Sequence, residues 1–111
     1  MQTYKHFING QFVDPKAGVW FESENPYNGE VWASIPRGDA DDVDLAVAAA
    51  KAAFDGEWGQ TGPTQRGKLL VRLAEIVERE AVRLGEIEVR DNGKLIAEMG
   101  AQTKYLGTHM R

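Results

Sequence analysis

The densest set of chemically capable side chains in the sequence is Asp39, Asp41, Asp42 and Asp44. Carboxylates so close together could hold a divalent cation. A calcium loop opening at Asp39 would need Gly at its sixth position and Glu at its twelfth. Asp44 and Ala50 stand there, so the cluster reads as an acidic helix start. Gly62-Pro63-Thr64-Gln65-Arg66-Gly67-Lys68-Leu69 approaches a phosphate-binding loop, but the residue after the Lys must be Ser or Thr to hold magnesium. Leu69 has no such oxygen, and Pro63 removes a backbone donor that a phosphate would use. No two glycines are separated by a single residue, so the dinucleotide fingerprint is absent. The histidines, His6 and His109, lie near opposite ends of the sequence and read as solvated or packing residues. Glu75, Glu78, Glu86 and Glu88 could supply paired carboxylates for acid–base work. They alternate with Arg79, Arg83 and Arg90 at helical spacings, which favours surface ion pairs. There is no cysteine, so no thiol nucleophile, disulfide or thiolate metal site can be built from these residues.

These side chains must be positioned by two kinds of element. Phe7 to Val13 reads as two short extended pieces around Asn9-Gly10, a pair suited to the positive φ angles of a tight hairpin. Val19 to Glu22 and Val31 to Ile35 read as further strands. Asn25-Pro26-Tyr27-Asn28-Gly29 reads as the turn between them. After Pro36 the apolar period changes. Asp39 is a good N-cap, Val43, Ala46, Val47, Ala50 and Phe54 form one helical face, and Gly56 is a stop. A loop is expected over 57–62. A second helix is expected from Pro63 through Leu69, Leu73, Ile76, Leu84 and Ile87, with a kink within Ala81 to Gly85 and a stop at Asn92-Gly93. A third runs from about Leu95 with Ile96, Met99, Thr103 and Leu106 on one side. Its pattern meets no closing turn before Arg111, which is expected of a truncated chain.

Net charge is −4, with 42% hydrophobic and 27% charged residues, an ordinary balance that offers no basic stripe for nucleic acid. The seven Trp and Phe residues are therefore expected in core or subunit contacts rather than stacked on bases. No apolar run approaches the roughly 20 residues of a membrane span. The N-terminus carries no signal core, and a cytoplasmic setting is expected.

Several of these stretches, taken in order, resemble the aldehyde dehydrogenase family. They are Phe7-Ile8-Asn9-Gly10-Gln11-Phe12-Val13 and then Asn25-Pro26-Tyr27-Asn28-Gly29-Glu30-Val31, which is similar to the family's NPATGEV signature. Ile35-Pro36-Arg37-Gly38-Asp39 follows, with the alanine-rich helix and Trp58, and Asp91-Asn92-Gly93-Lys94 matches a family helix end. The resemblance implies an α/β fold: N-terminal strands followed by three helices. These would form an incomplete part of a Rossmann-type nucleotide-binding domain, with residues 1–38 as a strand and turn region and 39–111 as a helical region. It implies a parent enzyme that oxidises an aldehyde with NAD or NADP. Its cysteine nucleophile and glutamate base, like its cofactor contacts, match no position here, so the segment by itself is expected to be inactive. It also implies a homodimer or homotetramer, and packing against the remainder of its own chain. Some family members bind a monovalent cation. The matching positions are Ser23 and Glu24 through backbone oxygens and Asp91 through its carboxylate. The alternative is a self-contained helical interaction module without catalytic activity, using the Leu69 to Ile87 face.

Overall fold

The hairpin expected at Asn9-Gly10 forms in the computed structural model, which describes residues 1–111. Strand β1 is Gln2–Thr3, β2 is His6–Ile8, β3 is Gln11–Val13, β4 is Trp20–Glu24 and β5 is Val31–Pro36. The helices are α1 (Ala40–Asp55), α2 (Glu57–Gln60), α3 (Pro63–Arg79), α4 (Ala81–Asn92) and α5 (Ile96–His109). By contacts the chain divides into two compact units, residues 1–24 with 31–60, and residues 25–30 with 61–111.

In the first unit β2 and β3 pair antiparallel, with Phe7 opposite Phe12. Asn9 and Gly10 take φ values of 53° and 75°, the left-handed pair of a two-residue hairpin turn. A separate three-stranded sheet has the order β1-β5-β4. Strand β5 is central, parallel to β1 and antiparallel to β4, with a register shift at Ser23/Glu24. Its alternation of large and small residues follows from that place: Ala33 is fully buried, and Trp32 meets the edge of Tyr4 with ring centroids 5.9 Å apart. Helix α1 opens on a complete capping box: Asp39 accepts from the Asp42 amide, and Asp42 accepts from the Asp39 amide. The expected loop over 57–62 holds a short helix instead, α2, over Glu57–Gln60.

The second unit is a three-helix arrangement in which α5 packs on both α3 and α4. The predicted second helix is broken at Glu80, whose φ and ψ of −95° and 7° leave the helical region. The break lies one residue ahead of the expected kink. No proline causes it. Ala74, Ala81 and Gly85 are buried around it, and their small size lets both arms lie close to α5. A methyl on Gly85 would sit 3.5 Å from the backbone of Gly100, so the two helices touch nearly backbone to backbone. The expected three helices are thus five, by division at Glu80 and addition of α2.

Of the Trp and Phe residues expected in core or subunit contacts, few enter a core within this chain. Phe7, Phe12, Phe21, Phe54 and Trp58 are exposed, and only Trp20 and Trp32 are half-buried. No large side chain is completely buried, since these elements cover the strands and helices on one side only. The apolar side chains of α3 (Leu69, Leu70, Leu73 and Ile76) are likewise exposed.

Candidate functional site

Within the first unit the most buried charge is Asp42, 5% exposed. Its position as third residue of α1 places it over the helix N-terminus, where the dipole favours an anion. One carboxylate oxygen accepts from the Lys16 amide at 3.0 Å and the other from the Asp39 amide at 3.1 Å. The Lys16 bond, then the Asp39 bond, holds its carboxyl below the usual carboxylate range. His6, on β2, brings Nε2 to 3.7 Å from the same carboxylate, and its ring lies against Gly38. The acidic cluster is thus resolved: one member, Asp42, ties the segment after β3 to α1, and Asp39 caps the helix. Lys16 lies too far from Asp42 in sequence for any local pattern to announce the tie.

In the second unit the geometry centres on the turn at residues 25–30 and the end of α4. Asn25 receives the amides of Asn28 and Gly29 on its backbone oxygen and that of Tyr27 on Oδ1. Gly93 ends α4 with φ 76°, and an added Cβ there would meet Pro26 at 3.0 Å. The Asn-Pro turn and the helix-end Asn92-Gly93 stop therefore pack together. A groove of about 400 Å³, lined by Leu84, Ile87, Met99, Thr103 and Leu106 among others, runs between α4 and α5. It offers one charged side chain, Glu88, and its one hydroxyl, Thr103, donates to the Met99 carbonyl of its own helix.

Of the expected cation donors, Ser23 and Glu24 lie on β4 in the first unit, at its register shift. Asp91 lies in the last turn of α4 in the second. No group of three or more His, Asp or Glu side chains is arranged to hold a metal ion. Gly62 to Leu69 forms an ordinary helix start, with Gly62 as N-cap and Pro63 in the first turn. The ion pairs of the helical unit include Arg83–Glu80 and Arg79–Glu80, and a pair between Arg111, past the end of α5, and Glu78 of α3. Glu80 is not among the four glutamates named from the sequence, although its partner Arg83 lies at the same helical spacing of three residues.

Strands carrying a capped helix, followed by three packed helices, define an α/β protein. Residues 12–111 match the model of the aldehyde dehydrogenase family. The chain is 44% identical over its whole length to (Z)-2-((N-methylformamido)methylene)-5-hydroxybutyrolactone dehydrogenase of Acinetobacter baylyi, of which it covers 22%. It is 47% identical over 82% of its length to aldehyde dehydrogenase family 2 member C4 of Arabidopsis thaliana, covering 18% of that protein. The crystal structure of NAD-dependent aldehyde dehydrogenase from Sinorhizobium meliloti superposes with a TM-score of 0.94 at 31% identity, over 98% of this chain and 22% of that one. The chain belongs to the aldehyde dehydrogenase family and spans about a fifth of the length of the relatives it matches.

Proposed function

We propose that the protein carrying this segment oxidises an aldehyde to a carboxylic acid with NAD+ or NADP+. Family membership over residues 12–111 is the observation that supports it. The nicotinamide, when bound, accepts the hydride. The residues here supply structural support: a capped strand–helix unit and a helical unit whose exposed α3 face gives other parts of the same protein a surface to pack on. With no cysteine among them, the family's thiol nucleophile has no counterpart in these 111 residues. The full-length protein is expected to generate reduced nicotinamide in an aldehyde-dependent, thiol-alkylation-sensitive reaction, followed by absorbance. The 111 residues alone are expected to give none. Absence of aldehyde-dependent turnover by the full-length protein with both cofactors would sink the proposal.

The same reading carries a cytoplasmic setting and a homodimer or homotetramer, the latter checked by sedimentation of the full-length protein. No helix is long and apolar enough to cross a membrane. A hard monovalent cation held by Ser23, Glu24 and Asp91 is proposed on donor chemistry, since all three offer oxygen. Rubidium substitution with anomalous scattering in crystals of the full-length protein tests it, and no anomalous peak at those oxygens would reject it.

A further inference from the structure

The sequence contains three Asn-Gly pairs, at Asn9-Gly10, Asn28-Gly29 and Asn92-Gly93. Any such pair can rearrange, because glycine carries no side chain to block its own nitrogen. The Gly amide nitrogen loses its proton and bonds to the Asn side-chain carbonyl carbon. The bond from that carbon to Nδ2 then breaks, and ammonia leaves. Water opens the resulting succinimide at either carbonyl, giving aspartate or isoaspartate. Two things must be free for the first step: the Gly N–H, and rotation of the Asn side chain.

The three pairs differ in both respects. At Asn28-Gly29 the Gly29 amide donates to the Asn25 carbonyl at 2.8 Å. The Asn28 side chain accepts from the Glu30 amide at 2.9 Å and reaches the Glu30 carboxylate at 3.5 Å. At Asn92-Gly93 the Gly93 amide donates to the Val89 carbonyl at 2.9 Å. The Asn92 side chain accepts from the Lys94 amide at 2.9 Å and approaches the Met99 sulfur at 3.8 Å. Both pairs are thus held at the nucleophile and at the electrophile. At Asn9-Gly10 neither the Gly10 amide nor the Asn9 side chain has a hydrogen-bond partner. Both residues are exposed, and the space around Gly10 is open for 4 Å. Asn9 also sits at φ 53°, a left-handed conformation that L residues adopt at some cost.

We propose that Asn9 is a modification site, converted by solvent water to aspartate and isoaspartate in the folded protein, while Asn28 and Asn92 are protected by their turns. The consequence is local and directional. Either product places a carboxylate at the hairpin tip. Isoaspartate also inserts a methylene into the backbone of a two-residue loop whose length sets the pairing of Phe7 with Phe12. The modified hairpin therefore loses register, and the β2–β3 amides lose protection.

The test is to hold the folded full-length protein in warm, mildly alkaline heavy-oxygen water and map peptides by mass spectrometry over time. The Asn9 peptide is expected to gain the Asn-to-Asp mass increment and the heavy label first. Asn28 and Asn92, which must first break a hydrogen-bonded turn, should lag roughly tenfold or more. In a parallel sample unfolded in urea the three peptides should convert at similar rates, because only the fold distinguishes them. Conversion of Asn28 or Asn92 as fast as Asn9 in the folded protein would overturn the proposal. So would an intact Asn9 in folded protein under conditions where the unfolded sample converts.

Discussion

The two units bury opposite things. The first unit buries Pro15, Ala33, Pro36 and the charged Asp42, and Asp42 is satisfied by two amides from different parts of the chain. The second unit buries Ala74, Ala81, Gly85, Met99, Thr103 and Gly107 where α5 meets α3 and α4. Its most buried polar side chain, Thr103, donates back to Met99 of its own helix at 2.7 Å. One unit is held by direction, through hydrogen bonds that depend on charge. The other is held by closeness, through side chains too small to keep the helices apart. The first should answer to pH and the second to volume.

Five substitutions or conditions, in falling order of effect, can break or sharpen that contrast in the full-length protein. Met99→Ala should destabilise the second unit by about 2–5 kcal/mol, read as a shift in the urea midpoint of α5 amide exchange. A loss no larger than that of the exposed Gln102→Ala would mean that closeness does not hold this unit. Gly107→Ala places a methyl 2.6 Å from Glu78 Cγ and crowds the Arg111–Glu78 pair, so about 1–3 kcal/mol should be lost. Gly85→Ala meets nothing nearer than 3.5 Å and should be neutral or stabilising by up to about 1 kcal/mol. Equal thermal shifts for the two glycines would contradict the volume argument.

Asp39→Ala removes the cap of α1 and should cost about 1 kcal/mol, seen as faster amide exchange confined to its first turn. The smallest effect is the pH response. Because the Asp42 carboxyl is held below its ordinary value, its contribution is fully present above that ordinary value. It is lost as pH falls through the lowered one. Protection of the α1 start and the Lys16 amide should therefore drop in acid, and Asp42→Asn should flatten the profile. Glu80 is lowered too, chiefly by its hydrogen bond from Arg83, but it is partly exposed, so salt should erase its share. Acid sensitivity as strong in the second unit as in the first would remove the distinction.

What could be read in advance was local. Asn9-Gly10 announces a hairpin, Asp39 an N-cap and Gly93 a helix stop, because each acts on its own neighbours. The break at Glu80 could be read only as a kink one residue later, within Ala81 to Gly85, since no residue there forbids a helix. It belongs to the packing of small residues against α5, distant in sequence. The Lys16–Asp42 tie and the fit of Gly107 under Glu78 are long-range in the same way. Which aromatic residues would lie in a core within this chain could not be read for a related reason: composition counts apolar residues but not how many sides of an element are covered. Of the site, Ser23, Glu24 and Asp91 came from resemblance to a family. The differing fates of three identical Asn-Gly pairs were invisible, because only hydrogen bonding separates them.

The six residues from Asn25 to Glu30 lie between two paired strands of the first unit, yet belong by contact to the second. Pro26 meets its partner, Gly93, only after α1, α2, α3 and α4 have all been traversed. On a growing polypeptide the turn is thus finished long before its seat exists. Closing so long a loop costs entropy before it returns any contact. The second unit therefore acquires its last piece late, and this splice in the chain order makes Asn25–Glu30 the natural place to look for a slow step in folding.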